Sequence, residues 1–314
     1  MLESWAGMSD SRWQYHLGFF AFVGMGAARN VLSADILRTT DALFFTFLMA
    51  LFVVVFAMLA RLWRVGTDFQ YNLKAAAPIL ITLSCTTCVG ILGSNMALAR
   101  MSPVLISFID VTFYPVAASV IAYWFAKGET VRLEVIIPTL LIATFGMILF
   151  SSSRIESTDR VFISASGLAW ELISVIGWAS SVVMATNLVR QGTTILDVIG
   201  FRFGATVIAL GAWLIVNPPV QQETNMLPIA LIALLTYFFP YILSFSGLRK
   251  LSVVTFAMYT MLSPIMTYVL AGILWSEWEL TTLQLIGAGL IFIALVRRTY
   301  NEYMYSQPIQ SVSV

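Results

Sequence analysis

A chain of 314 residues that is 59% hydrophobic and 11% charged, with a mean hydropathy of +0.88, has more apolar surface than a soluble fold can bury. Soluble domains are roughly 45–50% apolar and about 25% charged. The net charge of +1 provides no long-range field for nucleic acid, and no Lys/Arg-rich block with interleaved aromatics occurs, which sets nucleic acid aside as a partner.

Residues 1–15 are mixed and partly acidic. They lack the basic start, short apolar core and small-residue cleavage site of a signal peptide, so the first apolar run is expected to be retained. Ten apolar runs follow, at 15–35, 42–60, 75–96, 103–126, 133–151, 167–189, 195–216, 226–248, 253–275 and 280–296. A helix needs roughly 17–25 residues to cross hydrocarbon, and continuous runs favour helices over a barrel of alternating segments. The sequence therefore predicts an all-α membrane protein of ten transmembrane helices in contact with lipid. Connections are short, neighbours are antiparallel, and a polar tail follows residue 296.

Ionisable side chains at the centre of a membrane helix cost about 2.5–3.5 kcal/mol on insertion scales, so each is a functional candidate. Span one contains Arg29, on a face with Phe22 and Met25. A guanidinium there suits bidentate recognition of a carboxylate or phosphate, or it neutralises a carboxylate of the bundle. Span three contains Thr86, Thr87, Ser94 and Asn95, and also Cys85 and Cys88, one turn apart with no second ligand pair; packing is their expected role. Span four contains Asp110, with Ser107 and Tyr114 one turn to either side, a polar stripe that should face a wet cavity. Pro115 lies in the same span and Glu129 follows it.

In span six, Glu171 is followed at helical spacing by Ser174, Trp178 and Ser181, and is expected near an outer mouth. Span seven holds Arg202, with Asp197 nearby, and span eight presents Thr236, Tyr237, Tyr241 and Ser244. Span nine brings Tyr259 between Thr255 and Ser263, then Pro264, with Glu277 after it. Pro115 and Pro264 interrupt the backbone ladder at matching places and are candidate gating kinks. Trp178, Tyr237, Tyr241 and Tyr259 are candidate walls for a ligand.

Sorting Lys and Arg by loop, with the N-terminus inside, puts eleven on the inner side and four on the outer. Excess positive charge marks the cytoplasmic face, so both termini are expected there. The two halves also repeat: Ser102, Pro115 and Glu129 recur as Ser252, Pro264 and Glu277, displaced by 150, 149 and 148 residues. Five spans per half, an odd number, invert the second half (152–314) relative to the first (1–151). Inverted repeats are a physical route to alternating access around a site near the midplane.

With its two five-span halves, the prolines in spans four and nine and the glutamates closing them, the sequence resembles the drug/metabolite transporter superfamily, in particular its EamA-type ten-helix branch. Span two lacks the arginine common near its start in that family, whereas Arg202 fits the second-half counterpart. The resemblance implies a transporter, often an exporter, in the plasma (inner) membrane or an organelle membrane.

The resulting expectation is a secondary transporter of a small polar organic solute. Arg29 and Arg202 set against Asp110 and Glu171 favour a zwitterionic or anionic metabolite such as an amino acid, and Asp110 is a candidate carrier of a coupling proton. The expected substrate-binding set is Arg29, Asp110, Tyr114, Glu171, Trp178, Arg202, Tyr237, Tyr241 and Tyr259. Catalytic residues, metal ligands and cofactors are not expected: His16 is the only histidine, against a histidine triad or multi-histidine zinc site, and no Walker-type loop occurs. Alternatives are an organic-phosphate or nucleotide-sugar exchanger, a membrane-embedded enzyme, and a scaffold that kept the fold without transport.

Overall fold

The computed structural model describes residues 13–65, 73–125, 137–138, 141–142, 144–146, 148–149, 164–219, 225–275 and 281–306. Among these residues the regular structure is helical, without a strand. The helices are α1 (Trp13–Ile36), α2 (Ala42–Val65), α3 (Leu73–Leu98) and α4 (Pro103–Phe125), then α5, whose described residues lie between 137 and 149. They continue with α6 (Ala165–Arg190), α7 (Ile195–Val216), α8 (Met226–Leu248), α9 (Val253–Trp275) and α10 (Thr282–Ser306).

Eight of these helices, α1–α4 and α6–α9, are long and apolar enough to cross a membrane, while α10 has a shorter apolar stretch, Thr282–Ala294. Eight of the ten expected spans are thus met in full. Span five is described only in part, and the repeat boundary at 151/152, Glu129 and Glu277 lie outside the described residues. One boundary is corrected: the tail expected after residue 296 continues as helix to Ser306. No glycine or proline interrupts the chain between these points.

Helix starts follow from capping chemistry, in which a short polar side chain accepts the first free backbone N–H groups. Asp41 Oδ1 accepts from Leu43 N and Phe44 N at 3.0 and 2.9 Å. Ser102 Oγ accepts from Leu105 N at 3.3 Å, and its counterpart in the repeat, Ser252, accepts from Thr255 N at 3.0 Å. The turn after α8 is held from outside, because the Arg190 guanidinium donates to the Leu248 and Leu251 carbonyls at 3.1 and 2.9 Å.

The helices pack in reciprocal pairs. α3 lies on α6 as α8 lies on α1; α4 lies on α6 as α9 lies on α1; α3 meets α7 as α8 meets α2. The remaining principal contacts, α2 with α7 and α4 with α9, pair each helix with its own counterpart. Small residues permit the closest crossing, as is usual in membrane bundles. A Cβ at Gly177 would lie 2.5 Å from Gly90 N, and one at Gly93 would lie 2.8 Å from the Trp170 carbonyl. Large apolar side chains such as Trp63, Ile208 and Ile215 stand exposed on the outside, while Glu171, Arg202, Ser107 and Thr87 are buried within. This inside-out distribution suits a lipid surround.

Proline has different consequences in the two halves. α4 remains α-helical through Pro115. α9 tightens into a 3-10 turn over Thr260–Leu262, just ahead of Pro264, and α8 widens into a π turn over Ala233–Phe238. Both departures from α geometry occur at residues that face the interior cavity, and π turns recur at functional sites.

Candidate functional site

A cavity of about 90 Å³ lies between the two halves, lined by Phe22, Val23, Gly26, Arg29 and Asn30 from α1, Asp110 and Tyr114 from α4, and Trp178 and Val182 from α6. Arg202 from α7, Thr236 and Tyr241 from α8, and Thr260 and Ser263 from α9 complete it. The polar stripe expected on α4 is present: Asp110 and Tyr114 meet the cavity, and Ser107, one turn away, bonds to neighbouring helices.

Arg29 is anchored on its own helix. Its Nε and Nη2 donate to Asn30 Oδ1 at 3.0 and 2.6 Å, and Nη1 reaches the Tyr237 hydroxyl at 3.4 Å. Asn30 Nδ2 in turn donates to Ser107 Oγ at 3.1 Å, which pairs with Thr267 Oγ1 at 2.9 Å. This chain ties α1, α4 and α9 together behind the cavity. Arg29 interacts electrostatically with both Asp110 and Glu171, while its hydrogen bonds go to neutral groups.

Glu171 is corrected from the outer mouth to the interior. It is fully buried, and among the described residues no N–H or hydroxyl donates to its carboxyl oxygens, whose neighbour is the Asp110 carboxyl. Tight packing of α3 at Gly93 covers Trp170 and Ser174 on α6, and the Glu171 carboxyl faces Asp110 and Arg29 instead of the interface. Two carboxyl groups and one guanidinium thus share the region between α1, α4 and α6.

Arg202 is treated differently. It is fully buried, with Nε donating to Thr87 Oγ1 at 3.1 Å and Nη2 to Ser181 Oγ at 2.6 Å. Its guanidinium carbon lies 5.1, 4.4 and 5.5 Å from the ring centroids of Trp178, Tyr241 and Phe245. Rings and hydroxyls hold the cation in place without cancelling its charge. Nη1 has no hydrogen-bond partner among the described residues. A buried guanidinium with one free donor edge beside a cavity is ready for an anionic group.

Two guanidinium groups and the Asp110 carboxyl thus line one small cavity, with the Glu171 carboxyl buried nearby. Residues 165–297 match the model of the EamA-like transporter family. That family is part of the drug/metabolite transporter superfamily, whose EamA members are transporters, not enzymes. The protein is a multi-pass membrane protein. No curated protein matches the chain. A solved crystal structure of another protein shares the fold, with a TM-score of 0.70 over 94% of this chain and 99% of that one, at 14% sequence identity.

The EamA-like region supplies Glu171, Trp178, Arg202, Tyr237 and Tyr241, whereas Arg29, Asp110 and Tyr114 come from the residues ahead of it. Tyr237 joins the site through Arg29 and lies 6.0 Å, ring to ring, from Tyr241. Tyr259 stands apart: its hydroxyl bonds His16 Nδ1 at 2.9 Å and its ring packs edge-on to Phe19. On α9 the cavity is met by Thr260 and Ser263, which the 3-10 turn brings round to that side. Sequence reasoning did not single out Asn30, Thr260 or Phe22 as cavity residues; an amide next to an intramembrane arginine was the one available signal.

Proposed function

We propose that the protein is a secondary transporter, acting as an exporter, of a small polar organic solute, an amino acid or related metabolite. Two inverted five-helix halves rock about the central cavity, with both termini cytoplasmic in the plasma (inner) membrane. The reading is carried by Arg202, buried in neutral surroundings with Nη1 unsatisfied beside the cavity. A solute carboxylate would complete it, and Asp110 with Glu171 would receive a solute ammonium or a coupling proton. The reciprocal packing of the halves supports the inverted repeat and the ten-helix count that goes with it.

An organic-phosphate exchanger is the second reading, because two guanidinium groups line one cavity. It is the weaker one, since Arg29 is already held by Asn30 and Tyr237 and faces two carboxyl groups.

Purified protein screened for thermal stabilisation against amino acids, sugar phosphates, nucleotide sugars and cationic drugs tests the proposal, since a ligand that binds only the folded state raises its stability. Amino acids should stabilise the native protein but not Arg202→Gln or Asp110→Asn. Flux of the stabilising solute into sealed vesicles separates a transporter from a scaffold. Equal shifts in all three proteins would remove the site from this cavity.

A further inference from the structure

On α2, a buried stripe runs Thr46, Ala50, Val53 and Ala57, at helical spacing, and ends in Arg61. Arg61 Nε donates to Asp197 Oδ1 at 2.5 Å, with the two side chains only 8% and 3% exposed. The second carboxylate oxygen of Asp197 accepts from Thr194 Oγ1 at 2.6 Å. Asp197 lies in the first turn of α7, where a negative charge is favoured by the helix dipole. The pair therefore joins the two halves at one end of the α2–α7 seam, the end that also carries Arg64 and is expected to be cytoplasmic.

The opposite end of this seam is built otherwise. There a Cβ at Gly211 would touch the Phe47 ring at 3.2 Å, an apolar contact. α2 and α7 are counterparts, so a symmetric molecule would seal both ends alike; this one has a charged end and a greasy end.

Burying an ion pair costs nearly as much desolvation as its attraction returns. When such a seam opens, water rehydrates both ions, so the closed and open forms stay close in free energy. An apolar seam has no such compensation, because exposing apolar surface to water is unfavourable in proportion to its area. We propose that the Arg61–Asp197 pair is a gate latch, closing the cavity toward the cytoplasmic side and releasing it by hydration. The proposal rests on the alternating-access reading above. Arg202 lies five residues beyond Asp197 on α7, a rise of about 7.5 Å, so a solute held by Arg202 acts on the helix that carries the latch.

The seam offers its own probe. A Cβ at Gly200 would lie 3.8 Å from the Ala57 Cβ, inside the roughly 3.5–4.5 Å that a disulfide spans. In a background with Cys85 and Cys88 replaced by alanine, the Ala57→Cys/Gly200→Cys protein is oxidised and its remaining thiols are counted with a maleimide reagent. Rapid cross-linking is expected, with flux of a radiolabelled amino-acid mixture lost on oxidation and recovered on reduction. Asp197→Asn should slow cross-linking severalfold, and the exchange Arg61→Asp/Asp197→Arg should restore it. An apolar pair, Arg61→Met/Asp197→Leu, should cross-link as fast as the native latch yet transport less. Cross-linking at one rate with and without Asp197→Asn, no cross-linking in the native seam, or flux that persists once it is locked would overturn the latch. Thiol counts need no solute, so a protein that moves no amino acid refutes the solute reading while the seam is still judged.

Discussion

The Arg202 guanidinium rests over the face of Tyr241, 4.4 Å from the ring centroid. The contact uses the ring and not the hydroxyl, which separates two substitutions that otherwise look alike. Tyr241→Phe should keep ligand affinity close to native. Tyr241→Leu should weaken it by about 0.5–2 kcal/mol, roughly two- to thirtyfold. Isothermal titration with the stabilising solute distinguishes them, and equal losses in both variants would assign the effect to the hydroxyl.

Glu171 holds a carboxyl group in the interior, beside that of Asp110, and among the described residues no N–H or hydroxyl donates to it. A buried polar group left without a hydrogen-bond donor carries a desolvation penalty of about 1–3 kcal/mol, which an apolar side chain of similar volume does not. Glu171→Leu should therefore melt at or above the native temperature while losing flux. Loss of both stability and flux would make Glu171 a structural partner of Asp110 instead.

Asn30 links Arg29 to Ser107 and so α1 to α4. Removing its amide leaves two buried groups each one partner short, a penalty of about 1–3 kcal/mol. Asn30→Ala should lower the melting temperature by several degrees and weaken solute binding through displacement of Arg29. Asn30→Asp, which keeps the oxygen that accepts from Arg29 Nε and Nη2, should bind solute better than Asn30→Ala. Thermal melting together with titration checks both.

At the α3–α6 crossing, a methyl group on Gly177 would lie 2.5 Å from Gly90 N and 2.8 Å from the Thr86 carbonyl. Backbone atoms cannot turn aside as a side chain would. Gly177→Ala should destabilise the folded protein by the roughly 1–3 kcal/mol of an overpacked core, or more, and reduce its yield from membranes. Gly26→Ala, with nothing within 4 Å of the added group, is the matched control and should leave melting unchanged.

Membrane class, most helix positions and the intramembrane charges were legible in the sequence because lipid imposes a one-dimensional rule: each crossing needs a long uninterrupted apolar run, and a charge within one stands out. Arg29, Asp110, Tyr114, Trp178, Arg202 and Tyr241 were reached in this way and share one cavity. Ser102 and Ser252, 150 residues apart, each cap the helix that follows.

What the sequence could not supply was rotation and partnership. Helical periodicity locates Glu171 along its helix but leaves open whether it meets the interface or Asp110; the close α3–α6 crossing decided that. Tyr259 read as a candidate wall for a ligand, yet it meets His16, and the turn of α9 after it carries Thr260 and Ser263 to the cavity. Arg61 read as one more basic residue at a helix end until packing joined it to Asp197, 136 residues further on. The apolar pattern along one chain thus determined that the protein enters the membrane and where its charges sit in depth. Which charges are neutralised, which is left free at Arg202, and which close a seam depend on contacts between distant helices, and only the tertiary structure decided them.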